Sequence, residues 1–418
     1  MSHEVRRIVP HAAEGVADAD TVTWARAMLA AFLRPRVPPG DLARAAADYV
    51  GQRLRGVYET GDPAPVATLR SWDTRMSVPG GEVLVDAVTS IGVRSTHRRR
   101  GLLRAVLVDD LADAARAGTP VAALTSTQGA LYERFGFGLA SWNRALRVDT
   151  RAAAFRTPEP TGRLRTLDVA TLPSAAAPVQ DRARRRHPGS MDRAGASWTA
   201  LMTGENTFSG MTTDPARHAV LWSDATGRPG GYAVYRVAQD WLGGAAEIAV
   251  LDLQATTPES YRELWRHLAS LDLVGAVTWS DASLDEPLPW LLTDPRAAAA
   301  GASREMLWLR ILDVPAALGA RRYPVTEQIV LAVADPAGYA EGTWLLDTTD
   351  PVEPRIVTTT AEPDVALDAA ALGSLYLGGV DPRVLARAGR LEERTPGAAG
   401  RLARLVAAPS VPWNGIRF

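Results

Sequence analysis

Residues 88–138 read VTSIGVRSTHRRRGLLRAVLVDDLADAARAGTPVAALTSTQGALYERFGFG, and the stretch divides into four parts. Residues 88–93 are short, β-branched and apolar, the pattern of a buried strand. Arg98, Arg99, Arg100 and Gly101 make a basic turn with one glycine. Over residues 102–117, Leu103, Val106, Leu107, Leu111, Ala114 and Ala115 recur at helical spacing. Residues 121–124 form a second short strand, followed by a helical segment at 130–134 and a glycine-punctuated end at 135–138.

Strand, basic turn and helix together make an arrangement that binds phosphate. The first N–H groups of a helix are unpaired and the helix dipole adds positive charge there. Gly101 lets the backbone come close to a ligand, and arginines meet phosphate oxygens bidentately. The turn is not a Walker loop, because G-x-x-x-x-G-K-[ST] is absent and the chain has no lysine. Nor does it carry the dinucleotide fingerprint G-x-G-x-x-G. It is similar to the R/Q-x-x-G-x-G/A signature of Gcn5-related N-acetyltransferases (GNAT), whose turn holds the pyrophosphate of acetyl-coenzyme A. Arg98 to Leu102 fit that signature, and Leu103 stands where glycine or alanine is usual. An arginine-rich turn taken alone is more often a solvated loop; the following strand and the Tyr132-x-x-x-Gly136-Phe137 segment favour the phosphate site.

The chain has 418 residues, which at roughly 100–200 residues per domain means two to four domains. Hydrophobic residues make up 46% and charged residues 22%, a globular composition. The formal net charge of −1 provides no general field for nucleic acid or an anionic membrane. The absence of cysteine excludes disulfides, thiolate zinc sites and a cysteine acyl-enzyme. No signal core and no run of 18 apolar residues is present, so a cytoplasmic protein is expected.

Taken in order, residues 21–32 and 42–55 read as helices, with Asp41 as N-cap of the second. Strands at 57–59, 66–72 and 83–85 lead to the 88–138 stretch. This is the acetyltransferase order, and the first domain is expected over 1–150. Residues 157–162 (TPEPTG) read as a linker. A second domain, expected over 151–300, repeats the pattern: strands at 164–167, 218–222, 231–237 and 247–253, a polar turn at 255–259, a helix at 260–271 and a strand at 274–279. Glu259 at that turn stabilises the helix start but repels pyrophosphate, so this copy reads as structural. A third unit is expected over 301–418, its pattern beginning from Trp308. It has strands at 325–334, 342–347, 356–360 and 365–367, and helices at 368–377, starting at the acidic cap Asp368, at 381–388 and at 400–407. Its apolar end, with Trp413, Ile416 and Phe418, reads as tucked in.

The whole chain resembles the enhanced intracellular survival (Eis) acetyltransferases. The resemblance is carried by 96–104 (THRRRGLLR), 131–138 (LYERFGFG), 288–294 (LPWLLTD), 308–311 (WLRI) with 314–318 (VPAAL), 372–379 (LGSLYLGG) and the terminal phenylalanine. It implies a mixed α/β (α+β) chain of tandem GNAT folds, the second degenerate, followed by a C-terminal sterol carrier protein 2-like domain. It implies acetyl transfer from acetyl-coenzyme A directly to amines, in several members at more than one position of an aminoglycoside. It also implies a homohexamer. No metal, nucleic acid or membrane partner is expected.

On the matching positions, the resemblance implies that the main chain around Ile91, Gly92 and Val93 pairs with pantetheine. Arg98, Arg99, Arg100, Gly101 and Leu102 would hold pyrophosphate, and Thr127 would supply a hydroxyl beside the cofactor. Tyr132 would be the general acid and the Phe418 carboxylate the general base. Thr125 stands where the family places an alternative histidine base. Arg34, Arg36 and Arg417 stand where aminoglycoside-acetylating members carry acids. Since a polycationic amine wants carboxylates in its pocket, these departures point to an acceptor less cationic than an aminoglycoside, or bound in another pose. The competing class is a hexameric scaffold or carrier holding an apolar ligand in its C-terminal domain. Nucleic-acid binding through Arg182, Arg184, Arg185 and Arg186 is disfavoured by the near-zero net charge.

Overall fold

The computed structural model describes residues 3–126, 128–157, 162–193, 195–203, 216–238, 245–350 and 352–418. Thr127 and the middle of the expected 157–162 linker lie outside the described residues. The N-terminal unit runs β1 (His3–Ile8), α1 (Ala19–Ala31), α2 (Pro39–Ala46), β2 (Arg53–Glu59), β3 (Ala67–Val78), β4 (Gly81–Val93), α3 (Leu102–Arg116), β5 (Val121–Thr125), α4 (Ala130–Glu133) and β6 (Gly138–Leu139). A further strand, β7 (Leu307–Ile311), joins from far downstream, and the sheet order is β1-β2-β3-β4-β5-β7-β6. Only β4 and β5 run parallel.

The second helix is shorter than its spacing suggested. It starts at Pro39 with Pro38 at the cap position, not Asp41, and ends at Ala46. Proline pre-sets the helical φ at such a start. Residues 53–55, the end of the expected helix, instead pair with β3, and Leu54 and Arg55 also pair with β1. Two ladders of backbone hydrogen bonds outweigh a weak helical preference.

Helix α3 buries Leu102, Val106, Leu107, Leu111 and Ala114 against Val57, Leu69, Val88 and Leu124 of the sheet. Each large apolar side chain contributes roughly 1.5–3 kcal/mol by leaving water. Charge fixes the helix as well. The fully buried guanidinium of Arg55 on β2 meets Asp109 at 2.8 Å and also pairs with Asp110 and Asp113, three acids of one helix face. The acid-rich stretch 109–113 is therefore a clamp onto the sheet, not a solvated face.

The second sheet follows the same plan, in the order Arg163–Leu167, Arg217–Ser223, Pro229–Ala238, Ala246–Ala255, Val274–Ala282, Trp142–Asp149, Ala298–Glu305. The boundaries expected near 150 and 300 are crossed by two strands. Trp142–Asp149, read as the end of the first unit, pairs in the second sheet. β7, read as the start of the third unit, pairs between β5 and β6. All five β7 residues, Arg310 among them, are buried, and a strand buried along its whole length needs a sheet interior covered on both faces.

The third unit has a five-stranded sheet in the order Arg355–Thr358, Gly342–Asp347, Gln328–Ala334, Val365–Asp368, Leu391–Glu393. Helix Ala369–Leu375 starts at the expected acidic cap, Asp368 accepting from Ala371 N at 2.7 Å. That helix lies directly on the first sheet. A Cβ at Gly138 would fall 1.8 Å from Ala370 O, and one at Gly373 2.2 Å from Leu309 O. Glycine at both positions lets two backbones touch. Beside them the buried Arg310 of β7 binds both carboxylate oxygens of Asp335 at 2.7 and 2.6 Å. Between its helices and sheet, walled by Leu331, Leu346, Leu372 and Leu402 among others, this unit leaves a void of about 10 Å³. No helix among the described residues is long and apolar enough to cross a membrane.

Because both glycines sit at backbone contact, Gly373→Ala is expected to cost about 3 kcal/mol and to lower the urea midpoint without changing the m-value.

Candidate active site

Strands β4 and β5 pair from Val85↔Val121 to Val88↔Leu124 and no further. Beyond that point each follows its other neighbour. β4 continues to Val93 alongside β3, and β5 to Thr125 alongside β7. The register of β3 against β4 shifts between Thr68 and Arg70, where a bulge on β4 places Ser90 at φ +54°. Thr68 Oγ1 donates to Ser90 O at 3.0 Å and holds it. A bulge turns the strand, and the edge of β4 over 89–93 opens toward a cleft of about 1230 Å³.

The cleft gathers most of the residues singled out from the sequence. Ile91, Gly92, Val93, Arg98, Arg99, Gly101, Leu102, Tyr132 and Phe418 all line it. Gly92 has a packing reason of its own: a Cβ there would lie 2.8 Å from Ala31 Cβ and 3.1 Å from Phe32 Cε2. The end of α1 rests on that glycine.

Gly101 occupies the N-cap position of α3 at φ +76°, with no side chain capping the helix and no acidic residue in its first turn. A Cβ there would meet nothing within 4 Å, so the requirement is for a left-handed backbone, not for space. Arg98, Arg99, Arg104 and Arg134 face the cleft and make no ion pair among the described residues. Open helix N–H groups and unpaired guanidinium groups fit the pyrophosphate and phosphate of coenzyme A. Arg100 does not join them. It turns away to Glu59 at 3.6 Å, where His97 also binds at 3.1 Å. Glu59, hydrogen-bonded by His97, has its carboxyl held below the usual range.

In the second unit the matching helix, Pro258–Ala269, begins in a closed capping box. Thr257 Oγ1 accepts from Ser260 N at 3.0 Å and Ser260 Oγ accepts from Thr257 N at 3.1 Å. Side chains there already take N–H groups that α3 leaves open.

Tyr132 lies on α4, 9% exposed, with its ring edge-on to Phe137 at 6.3 Å. Burial pushes its phenol up to about 12. Its hydroxyl has no hydrogen-bond partner among the described residues. Thr125 Oγ1 donates to a carboxylate oxygen of Phe418 at 2.7 Å. The residue that replaces the histidine base therefore holds the terminal carboxylate.

The second unit carries the tail to this place. Ser190 Oγ donates to Trp413 O at 2.7 Å, Trp413 Nε1 to Asp281 O at 2.7 Å, and Asn143 Nδ2 to Asn414 O at 2.8 Å. Arg417 binds both oxygens of Asp281 at 3.0 and 3.1 Å, and Arg304 pairs with the same acid. Arg417 is thus neutralised beside the cleft. Arg34 and Arg36 are exposed, outside the residues that line it. Two groups had no signal in the sequence. Trp72 meets the Phe418 ring edge-on at 5.7 Å, and Glu305 places a carboxylate on the cleft beside Gly129.

Family comparison matches residues 13–140 and 189–311 to an acetyltransferase (GNAT) domain and 314–415 to a sterol carrier protein domain. The N-acetyltransferase Eis of Mycobacterium tuberculosis is 37% identical over 77% of this chain and 78% of its own length. The chain belongs to the Eis family of GNAT N-acetyltransferases. An uncharacterized N-acetyltransferase of Streptomyces griseus is 35% identical over 99% of both chains. The crystal structure of Eis1 from Mycobacterium abscessus superposes with a TM-score of 0.82 at 32% identity, covering 94% of this chain and 96% of that one. The Eis relationship makes the chain an acyltransferase, and GNAT acetyltransferases use acetyl-coenzyme A. The tandem GNAT folds and sterol carrier-like domain expected from the sequence are present in that order.

Replacing Arg98 with Ala is expected to weaken coenzyme A binding about tenfold, and Arg100→Ala less than about twofold, as calorimetric titration of each variant would measure.

Proposed function

We propose that this chain transfers the acetyl group of acetyl-coenzyme A directly to an amine, with Tyr132 as general acid and the Phe418 carboxylate as general base. One observation carries the reading: the phosphate-binding turn, the Tyr132 phenol and the Phe418 carboxylate open onto one cleft.

The substrate amine arrives as an ammonium and needs to lose a proton. The Phe418 carboxylate takes it, directly or through a water. The amine nitrogen then attacks the thioester carbonyl carbon. The C–N bond forms, the C–S bond breaks, and the departing thiolate takes the Tyr132 proton. A phenol pushed up by burial is protonated at neutral pH, as a donor requires. The same burial raises the basicity of a thiolate lying beside it, which keeps donor and acceptor matched. Thr125 keeps the terminal carboxylate in place. Glu305 adds a second negative charge on the cleft to hold an ammonium.

Neither Arg34 nor Arg36 lines the cleft and Arg417 is paired. The case against a cationic acceptor is therefore weaker than the sequence suggested, and aminoglycosides belong in the acceptor panel. The carrier reading is not favoured. An interior void of about 10 Å³ holds about one water at most and no apolar ligand. The homohexamer implied by the family resemblance is part of this proposal; sedimentation equilibrium measures it.

The test is thiol release from acetyl-coenzyme A against aminoglycosides, polyamines, arylalkylamines and amino acids. Turnover with any class supports transfer to amines; silence with all of them, while coenzyme A binds, counts against it. Tyr132→Phe is expected to lower kcat by about 100-fold or more with cofactor affinity unchanged. Because burial raises the phenol pKa and favours its neutral form, kcat is expected to show no decline from Tyr132 as pH rises to about 10; a fall centred near pH 8 that Tyr132→Phe abolishes would contradict the assignment. Thr125→Val is expected to lower kcat several-fold while KM for acetyl-coenzyme A stays constant.

A further inference from the structure

Asp281 lies near the end of the strand Val274–Ala282 in the second sheet. That strand pairs with Trp142–Asp149, and the register shifts between Trp279, opposite Leu146, and Ala282, opposite Arg144. On the other side of Trp142–Asp149, the strand Ala298–Glu305 shifts at the same level, between Ala300 and Ser303. Each neighbour has one residue more than the strand between them, so each carries a bulge. Bulges re-aim side chains and are frequent beside active sites. Asp281 lies in one bulge and Arg304 just beyond the other.

Arg304, Glu305, Met306, Arg417 and Phe418 line the cleft. Asp281 does not line it but binds both arginines. Arg417 Nη2 donates to its two oxygens at 3.0 and 3.1 Å, and Arg304 Nη2 pairs with Oδ1 while donating to Ser280 O at 2.7 Å. Asn143 Nδ2 at 3.2 Å and Ser280 Oγ at 3.0 Å hold the same carboxylate from the second unit's side. The Asp281 side chain is 14% exposed, against 39% for Arg304 and 42% for Arg417. The acid therefore sits behind the two guanidinium groups, which are the part that meets the cleft. Neither arginine has another acidic partner among the described residues.

Formal charge around the proposed base then depends on Asp281. The guanidinium groups of Arg304 and Arg417 cancel the carboxylates of Glu305 and Phe418. That balance gives an incoming ammonium no net attraction. Asp281 leaves one negative charge in excess, and like charges brought together in a cleft are costly enough to select partners. Partial exposure of the arginines screens the effect without removing it.

We infer that Asp281 is a positioning and specificity-determining residue contributed by the second unit: by holding Arg304 and Arg417 it makes this end of the cleft accept an acceptor with one ammonium group. The inference rests on the acetyltransferase reading above and adds the charge class of the acceptor.

The test uses the full chain with coenzyme A bound. Tyramine and 4-ethylphenol differ only in the ammonium, and calorimetry measures the affinity ratio between them. Tyramine is expected to bind at least about tenfold tighter. Asp281→Asn should lower that ratio at least about fivefold, and Arg304→Gln, which removes a positive charge, should raise it. The double variant should return the ratio to that of the unaltered chain, and Asp281→Glu should keep part of it. Damage to packing would weaken both probes alike and would not be reversed by the second substitution. A ratio unchanged in Asp281→Asn, or lowered by Arg304→Gln, overturns the inference. A second ammonium, 1,4-diaminobutane against butylamine, is expected to gain less than about threefold, and a gain above about tenfold overturns the single-charge class. Thiol release from acetyl-coenzyme A with amines but no charge preference would leave the transferase reading standing and remove Asp281 from it. A charge preference that follows these variants without thiol release would do the reverse.

Discussion

Strands β4 and β5 share a short parallel ladder and then part, and the active site exists because they part. Each strand keeps a partner on its far side, so neither loses its backbone hydrogen bonds at the fork. The bulge at Ser90 turns the free edge of β4 outward. The helix that follows β4 begins at Gly101 with its N–H groups open, at the mouth of the same fork. An extended ligand with phosphate at one end is therefore met by main-chain groups along its length and by positive charge at its end. That geometry is held by the clamp of Arg55 on the acids of α3 and by the apolar face of that helix.

The second GNAT unit is not an idle copy. Its helix start is closed by Thr257 and Ser260, which take up N–H groups that α3 leaves open. Its contribution lies elsewhere. Residues Ser190, Asn143 and Asp281, from the segments between the first and third units, hold the terminal peptide by its backbone and by Arg417. The third unit is fixed to the first sheet through Gly138, Gly373 and the Arg310–Asp335 pair. The three units thus converge on one side chain, Phe418. Thr125 donates to the Phe418 main-chain oxygen inside the cleft.

Charge in the cleft is sorted by pairing. Arg98, Arg99, Arg104 and Arg134 have no acidic partner among the described residues, whereas Arg100 is drawn off by Glu59 and Arg304 and Arg417 by Asp281. A count of arginines in the sequence cannot distinguish these cases.

Local chemistry was legible in the sequence. The period of residues 102–117, the glycine before them and the arginines of the turn specify a strand, an open helix start and an anion site, because each depends on neighbours along the chain. Asp368 as a helix cap was legible for the same reason. Tyr132 and Phe418 needed the family pattern to be singled out. Tertiary structure decided the rest. β7 left its expected unit because five buried residues require a sheet interior, and no local rule says which sheet. Residues 53–55 became strand because two distant ladders outweighed helical spacing. The neutralisation of Arg417 and the turning away of Arg100 depend on which acids come within about 4 Å, and the bond of Thr125 to Phe418 on where the tail lies. Ion pairs and desolvation act through space over that range, and only the folded chain sets those distances.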